Sequence, residues 1–276
     1  MKTAIQFCSL LLVLTCTSCK TQSELHNHDT SADNNEILIN GNFSALEVDD
    51  FGNIYLIKNN NQLHKYDENY NLLFEYSSYR QGIITTIDVS NPQKILLYLS
   101  EYQHIVFLDN TLSEIKTLNL ESLGYWQVNN VGLSADNNIW IYDPNIHQLI
   151  KINDQGKEIL KSNELIGLNI NDNSVSKIMV DNLNVYVAGE SQIMSFDVFA
   201  QFIKTTDLQF EDIQFFNKQW LYLLDNKIMV EEIETTFAID ENATLFESKT
   251  PITDFFLYES GELFILLKTG LIKVKI

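Results

Sequence analysis

Hydrophobic residues in this chain fall in short runs with strand-like alternation, each broken by Asn, Asp, Gly or Ser. The clearest copy is Ala45-Leu46-Glu47-Val48-Asp49, a turn at Asp50-Phe51-Gly52-Asn53, then Ile54-Tyr55-Leu56-Ile57. With Tyr55 as anchor, the same phrase recurs at Leu97, Trp140, Tyr186, Tyr222 and Phe264, spaced by 42, 43, 46, 36 and 42 residues. A repeat of about 40 residues built from short strands predicts an all-β protein, a six-bladed β-propeller with four-stranded antiparallel blades.

The first repeat divides into an inner strand at Ala45–Asp49, a second at Ile54–Lys58, a third at Gln62–Tyr66 and an outer strand at Leu72–Tyr76. Asn and Asp punctuate it because they tolerate left-handed backbone and bond their own main chain. After Phe264 the sequence offers one more strand, Gly270–Ile276, so the sixth blade lacks an outer strand. An unassigned apolar run, Glu36–Asn40, precedes blade one. The expectation is that this N-terminal strand completes the last blade and closes the ring, leaving no unpaired seam.

Residues 1–18 read as an export signal. Lys2 gives a positive start, and Ile5 to Leu14 is an apolar run too short to span a bilayer. The phrase Leu14-Thr15-Cys16-Thr17-Ser18-Cys19 resembles the lipobox of bacterial lipoproteins, which implies lipidation at Cys19, with Cys16 as the alternative. Cys8, Cys16 and Cys19 are the three cysteines of the chain, so the body from residue 36 holds neither disulfide nor thiol chemistry. Residues 19–35 are polar and read as a flexible tether, and 36–276 as the propeller. His26 and His28 in that tether read as solvated.

Asp49-Asp50-Phe51-Gly52-Asn53-Ile54-Tyr55 and Ser134-Ala135-Asp136-Asn137-Asn138-Ile139-Trp140 resemble the Asp-x-x-Gly-Asn-aromatic phrase of the six-bladed NHL, TolB-like and lactonase-type propellers. Blades two, four and five depart from it at Gln93, Leu183 and Lys218. The resemblance implies architecture and carries no activity across.

The chain holds 18 basic and 37 acidic residues, for a net charge of −19. Without Lys2 and the rest of the signal the balance is 17 against 37. Nucleic acid is excluded as a partner, since phosphate demands a basic face. Adhesion to an anionic bilayer is excluded likewise, so membrane attachment falls to the lipid anchor. A glycine-rich phosphate loop, a Gly-x-Ser-x-Gly elbow and a His-Glu-x-x-His motif are all absent from the sequence. His64, His104 and His147 lie at or before third strands, out of register with one another, and read as partly exposed.

Counting ten residues back from each anchor aligns Ala45, Ile87, Asn130, Ser176, Asp212 and Asp254 on the inner strands that line a propeller's channel. The lactonase resemblance implies a hard cation such as Ca2+ at a channel mouth, with Asn130, Ser176, Asp212 and Asp254 as its candidate ligands. Tyr79, Tyr125 and Trp126 fall in connections between blades and are the candidate partner contacts. No catalytic residue is nominated. The expected function is a non-catalytic scaffold or binding propeller, lipid-anchored in the bacterial envelope and presenting a rigid disc to a protein partner. The alternatives are a calcium-dependent lactonase or hydrolase, and a glycan- or peptide-binding lipoprotein.

Overall fold

The computed structural model describes residues 36–78, 82–165, 175–232 and 243–276. The signal segment 1–18, the tether 19–35, Cys19 and Tyr79 lie outside them.

Six four-stranded antiparallel sheets form the ring, five of them built from four consecutive strands. Local chemistry explains the repetition. The turn between third and outer strand begins at Asp67, Asp109, Asn153 and Asp197 in blades one to four. Each side-chain oxygen accepts the N–H groups two and four residues on, at 2.8 to 3.0 Å. The fourth residue of every such turn is left-handed: Tyr70, Leu112, Gly156 and Ala200, at φ 65, 61, 78 and 63°. Only blade three uses glycine, and there an added Cβ would lie 2.2 Å from the Leu123 side chain. The first hairpin is held by Asp49. Its carboxylate accepts from the Phe51 and Asn53 amides and from the Tyr55 hydroxyl.

The core lies between blades, as successive clusters of buried residues that join one sheet's face to the next. It also corrects two anchors. Tyr55 faces forward to blade two, so Leu97, which it meets there, faces backwards; Tyr222 likewise faces backwards, onto Tyr186 of blade four. The true counterparts of Tyr55 are therefore Leu96 and Leu221, which face forward. A slip of one residue reverses the face of a strand.

Closure occurs as expected. Ile39 and Asn40 pair with Leu271 and Gly270, and the Leu38 N–H donates to Leu271 O at 2.8 Å. The chains approach so closely here that a Cβ on Gly270 would sit 2.2 Å from the Ile39 carbonyl. The outer strands of blades one to four each carry a bulge at the same register, which places Leu73, Ile115, Ile159 and Ile203 in the extra position. All four side chains are exposed. Bulges of this kind twist an edge strand and discourage pairing with another chain.

Candidate functional site

Register identifies the ring that the inner strands present to the channel. Ala45, Thr86, Lys177, Asp212 and Asp254 sit opposite Ile57, Tyr98, Ala188, Leu223 and Leu266. Asn130, one residue before the Val131–Ile141 pair, completes the level. The sequence alignment thus places Ala45, Asn130, Asp212 and Asp254 correctly. Thr86 stands where Ile87 was aligned, and Lys177 where Ser176 was, because hairpin lengths differ among blades and one anchor was a residue late. Ser176 lies just before the strand, with its hydroxyl on Ala188 O at 3.2 Å. A second level holds Glu47, Asp88, Gly132, Met179, Gln214 and Phe256, opposite Tyr55, Leu96, Trp140, Tyr186, Leu221 and Phe264. Five of these six, with Thr86 and Lys177, line a cavity of about 260 Å³.

Most of these polar groups serve the ring itself. The Leu46 N–H donates to Asp254 Oδ2 at 2.7 Å, joining blades one and six. Asp88 Oδ2 accepts from Leu133 N at 2.7 Å, across blades two and three. Asn130 Nδ2 reaches Ser176 O at 2.6 Å, across three and four. Lys177 Nζ meets Asp212 Oδ1 at 3.3 Å, across four and five. Gln214 exchanges two hydrogen bonds with the Leu257 backbone, at 3.1 and 2.8 Å, across five and six. Among the described residues, inner-strand side chains therefore bridge five of the six seams. In a partly dehydrated channel such bonds are stronger than at the surface, and breaking one leaves a costly orphan.

Electrostatics fit this structural role. Burial pushes the Glu47 carboxyl up to about 8, against the pull of Lys177 and with help from Asp88 and Asp212. Burial, and then the Asp212 charge, push Asp254 well above the usual carboxylate range, and a carboxyl–carboxylate hydrogen bond to Asp212 adds to the shift. Asp212 Oδ2 is buried and meets no hydrogen-bond partner among the described residues. The Lys177 ammonium is raised despite its burial by Asp212, Glu47 and Asp254, so it stays charged near neutrality. A lysine so held is neither a general base nor a Schiff-base nucleophile, both of which require a neutral amine.

A calcium site needs six to eight converging oxygens. Here the counter-ion of the carboxylates is the ammonium of Lys177, and no metal-binding group of three His, Cys, Asp or Glu residues occurs among the described residues. The donor set does not fit calcium. Sequence reasoning missed Lys177; Glu47 was the one residue that fitted the Glu expected on the first blade's inner strand from the lactonase resemblance. The signal that would have found Lys177 was the shorter hairpin at Asp181–Asn184, closed where Asp181 accepts from Leu183 and Asn184.

The other candidates separate. Trp126 is 61% exposed, at the lip of a cavity between blades two and three. Tyr125 turns inward, packs against the cluster between those blades and has its hydroxyl raised by burial. His64 differs from expectation: it is buried, with Nδ1 3.3 Å from the Tyr66 hydroxyl and Nε2 3.8 Å from Glu75, and burial lowers its pKa.

No family model matches the chain, and no curated protein matches it in sequence. Solved structures do match in shape. A streptogramin B lyase aligns at a TM-score of 0.55 and 15% identity, over 83% of this chain and 77% of that one. Virginiamycin B lyase from Staphylococcus aureus aligns at 0.55 and 14% identity, over 86% and 85% of the two chains. BamB from Moraxella catarrhalis aligns at 0.53 and 10% identity, over 84% of each. At these identities the likeness is one of fold: this chain is a six-bladed β-propeller.

Proposed function

We propose that this protein is a non-catalytic binding propeller, lipid-anchored in a bacterial envelope through Cys19, which offers a rigid disc to a protein partner. The observation that carries the reading is the use of the inner ring. Most of the polar side chains on the inner strands are engaged with neighbouring blades, and Lys177 is locked in an ion pair. Fold likeness does not decide the matter, since proteins of this shape include lyases. The lipobox-like phrase at residues 14–19 supports the anchor, and the acidic balance supports a protein rather than a nucleic acid as partner.

Cross-linking in native envelopes tests the reading. Recovery of a specific heteromeric adduct, lost when Cys19→Ala releases the protein from the membrane fraction, is the expected result. Recovery of the monomer alone, or turnover that disappears in Lys177→Met while the fold survives, would overturn it.

A further inference from the structure

A second cavity, of about 500 Å³, lies where a hairpin of blade two at Ser100–Gln103 meets the connection to blade three. Two short 3-10 turns flank it, Ser100–Tyr102 and Glu121–Leu123. Tyr102 is 51% exposed and Trp126 61% exposed, whereas the other two tryptophans of the chain are buried. Glu101 and Glu121 line the same cavity and are exposed. No lysine, arginine or histidine is among its lining residues.

The walls are held before any ligand arrives. Gln103, in left-handed conformation, spans the two loops: its Nε2 donates to Ser100 O at 2.7 Å and to Val128 O at 3.0 Å, while its Oε1 accepts from Val128 N at 3.0 Å. The Tyr98 hydroxyl donates to the same Val128 carbonyl at 2.6 Å. Leu120 N bonds Gln103 O at 2.8 Å, which ties the second turn to the first. Tyr102 lies against Gly82, where an added Cβ would come within 2.7 Å of the ring. Aromatic faces, carboxylates and pinned backbone in one concavity suit a cation, and a preorganised site loses little entropy on binding.

We propose that this pocket receives a basic side chain of the partner, with arginine preferred over lysine. A guanidinium stacks flat on an aromatic ring while its fork of N–H groups reaches carboxylates; an ammonium offers only a point charge. The inference rests on the scaffold reading above, and it names the chemistry of the partner: an exposed, arginine-bearing segment. Neutral sugars also stack on tryptophan, but they draw no advantage from two carboxylates that form no ion pair with a lysine, arginine or histidine among the described residues.

The test is calorimetric titration of the full-length protein with an Arg-Gly-Arg-Gly-Arg peptide, its citrulline counterpart serving as the neutral control. Tryptophan emission locates the event, because Trp140 and Trp220 are buried and Trp126 is exposed. The arginine peptide is expected to bind and shift the emission, and the citrulline peptide to bind at least about tenfold more weakly, the factor that 1.4 kcal/mol represents. Glu101→Gln with Glu121→Gln should lower affinity by about the same factor, as should higher salt, because the attraction is screened. Equal binding of the citrulline peptide, full affinity in the double variant, absence of binding heat, or saturable binding of an oligosaccharide in place of the peptide would each overturn the proposal. Its failure is distinguishable from failure of the scaffold reading. An envelope adduct that survives the double variant sinks the pocket and leaves the scaffold. Peptide binding without any envelope adduct does the reverse.

Discussion

The channel and the pocket between blades two and three are both polar concavities, yet they teach opposite lessons. In the channel the charged groups answer one another. Lys177 sits against Asp212, and Asp254 and Asn130 bond the backbone of the next blade. In the pocket the backbone is satisfied by Gln103 and the exposed charges are of one sign. Polar residues that complete a fold and polar residues that await a ligand cannot be told apart by type. They are told apart by what already holds them.

The largest effect that separates the two regions is expected at Lys177. Lys177→Met leaves three carboxyl groups without their cation and should cost about 2 kcal/mol of unfolding free energy, a value below that of a fully dry pair because the side chain is 29% exposed. Urea unfolding with an unchanged midpoint would break the claim that the channel cluster is structural. Binding of the arginine peptide by the folded variant should not change.

The next effect is a pH dependence. Glu47 in the fold keeps its proton up to about 8, far above its ordinary value of 4.5. Between those values the folded state binds more protons than the unfolded chain, so stability falls as pH rises through that window and levels off above it. Asp254 shifts in the same direction and adds to the slope. Urea midpoints measured from pH 4.5 to 8.5 should decline, and Glu47→Gln should flatten the decline. A stability that rises across this range would contradict the assignment.

Smaller still is the response of the pocket. Glu101→Gln with Glu121→Gln should alter stability by less than about 0.5 kcal/mol, as exposed substitutions do, while weakening the peptide. A large loss of stability would mean that these carboxylates belong to the fold after all. The smallest expected effect is that of calcium. With Lys177 as the resident cation, millimolar calcium should move the melting temperature by less than about 1 °C, since only a ligand that prefers the native state stabilises it. A clear upward shift, abolished by Asp212→Asn, would restore a metal site to the channel.

How far the sequence carried these conclusions can be traced to particular residues. Strand number, blade number and closure at Ile39 were legible because alternation and turn chemistry are local, and each blade repeats them. The identity of the channel ring was only partly legible. Blades two and five have apolar residues on both faces of the second strand, so Leu97 and Tyr222 could not be told from their neighbours Leu96 and Leu221 without seeing which sheet each one meets. Lys177 was missed because a spacing of ten residues presumes equal hairpins. The pocket was half legible: Trp126 in a connection is a visible signal, but its union with Tyr102 and Glu101 requires the third dimension.

The strand that closes the ring also sets the order in which the molecule can be made. Ile39 leaves the ribosome 232 residues before its partner Leu271. The earliest strand to emerge is thus the last to pair, and the closing loop is among the longest the chain could draw. Throughout synthesis blade six is unfinished and the segment at residues 38–40 has no permanent mate. A nascent chain cut short anywhere before Gly270 would carry a bare edge at each end.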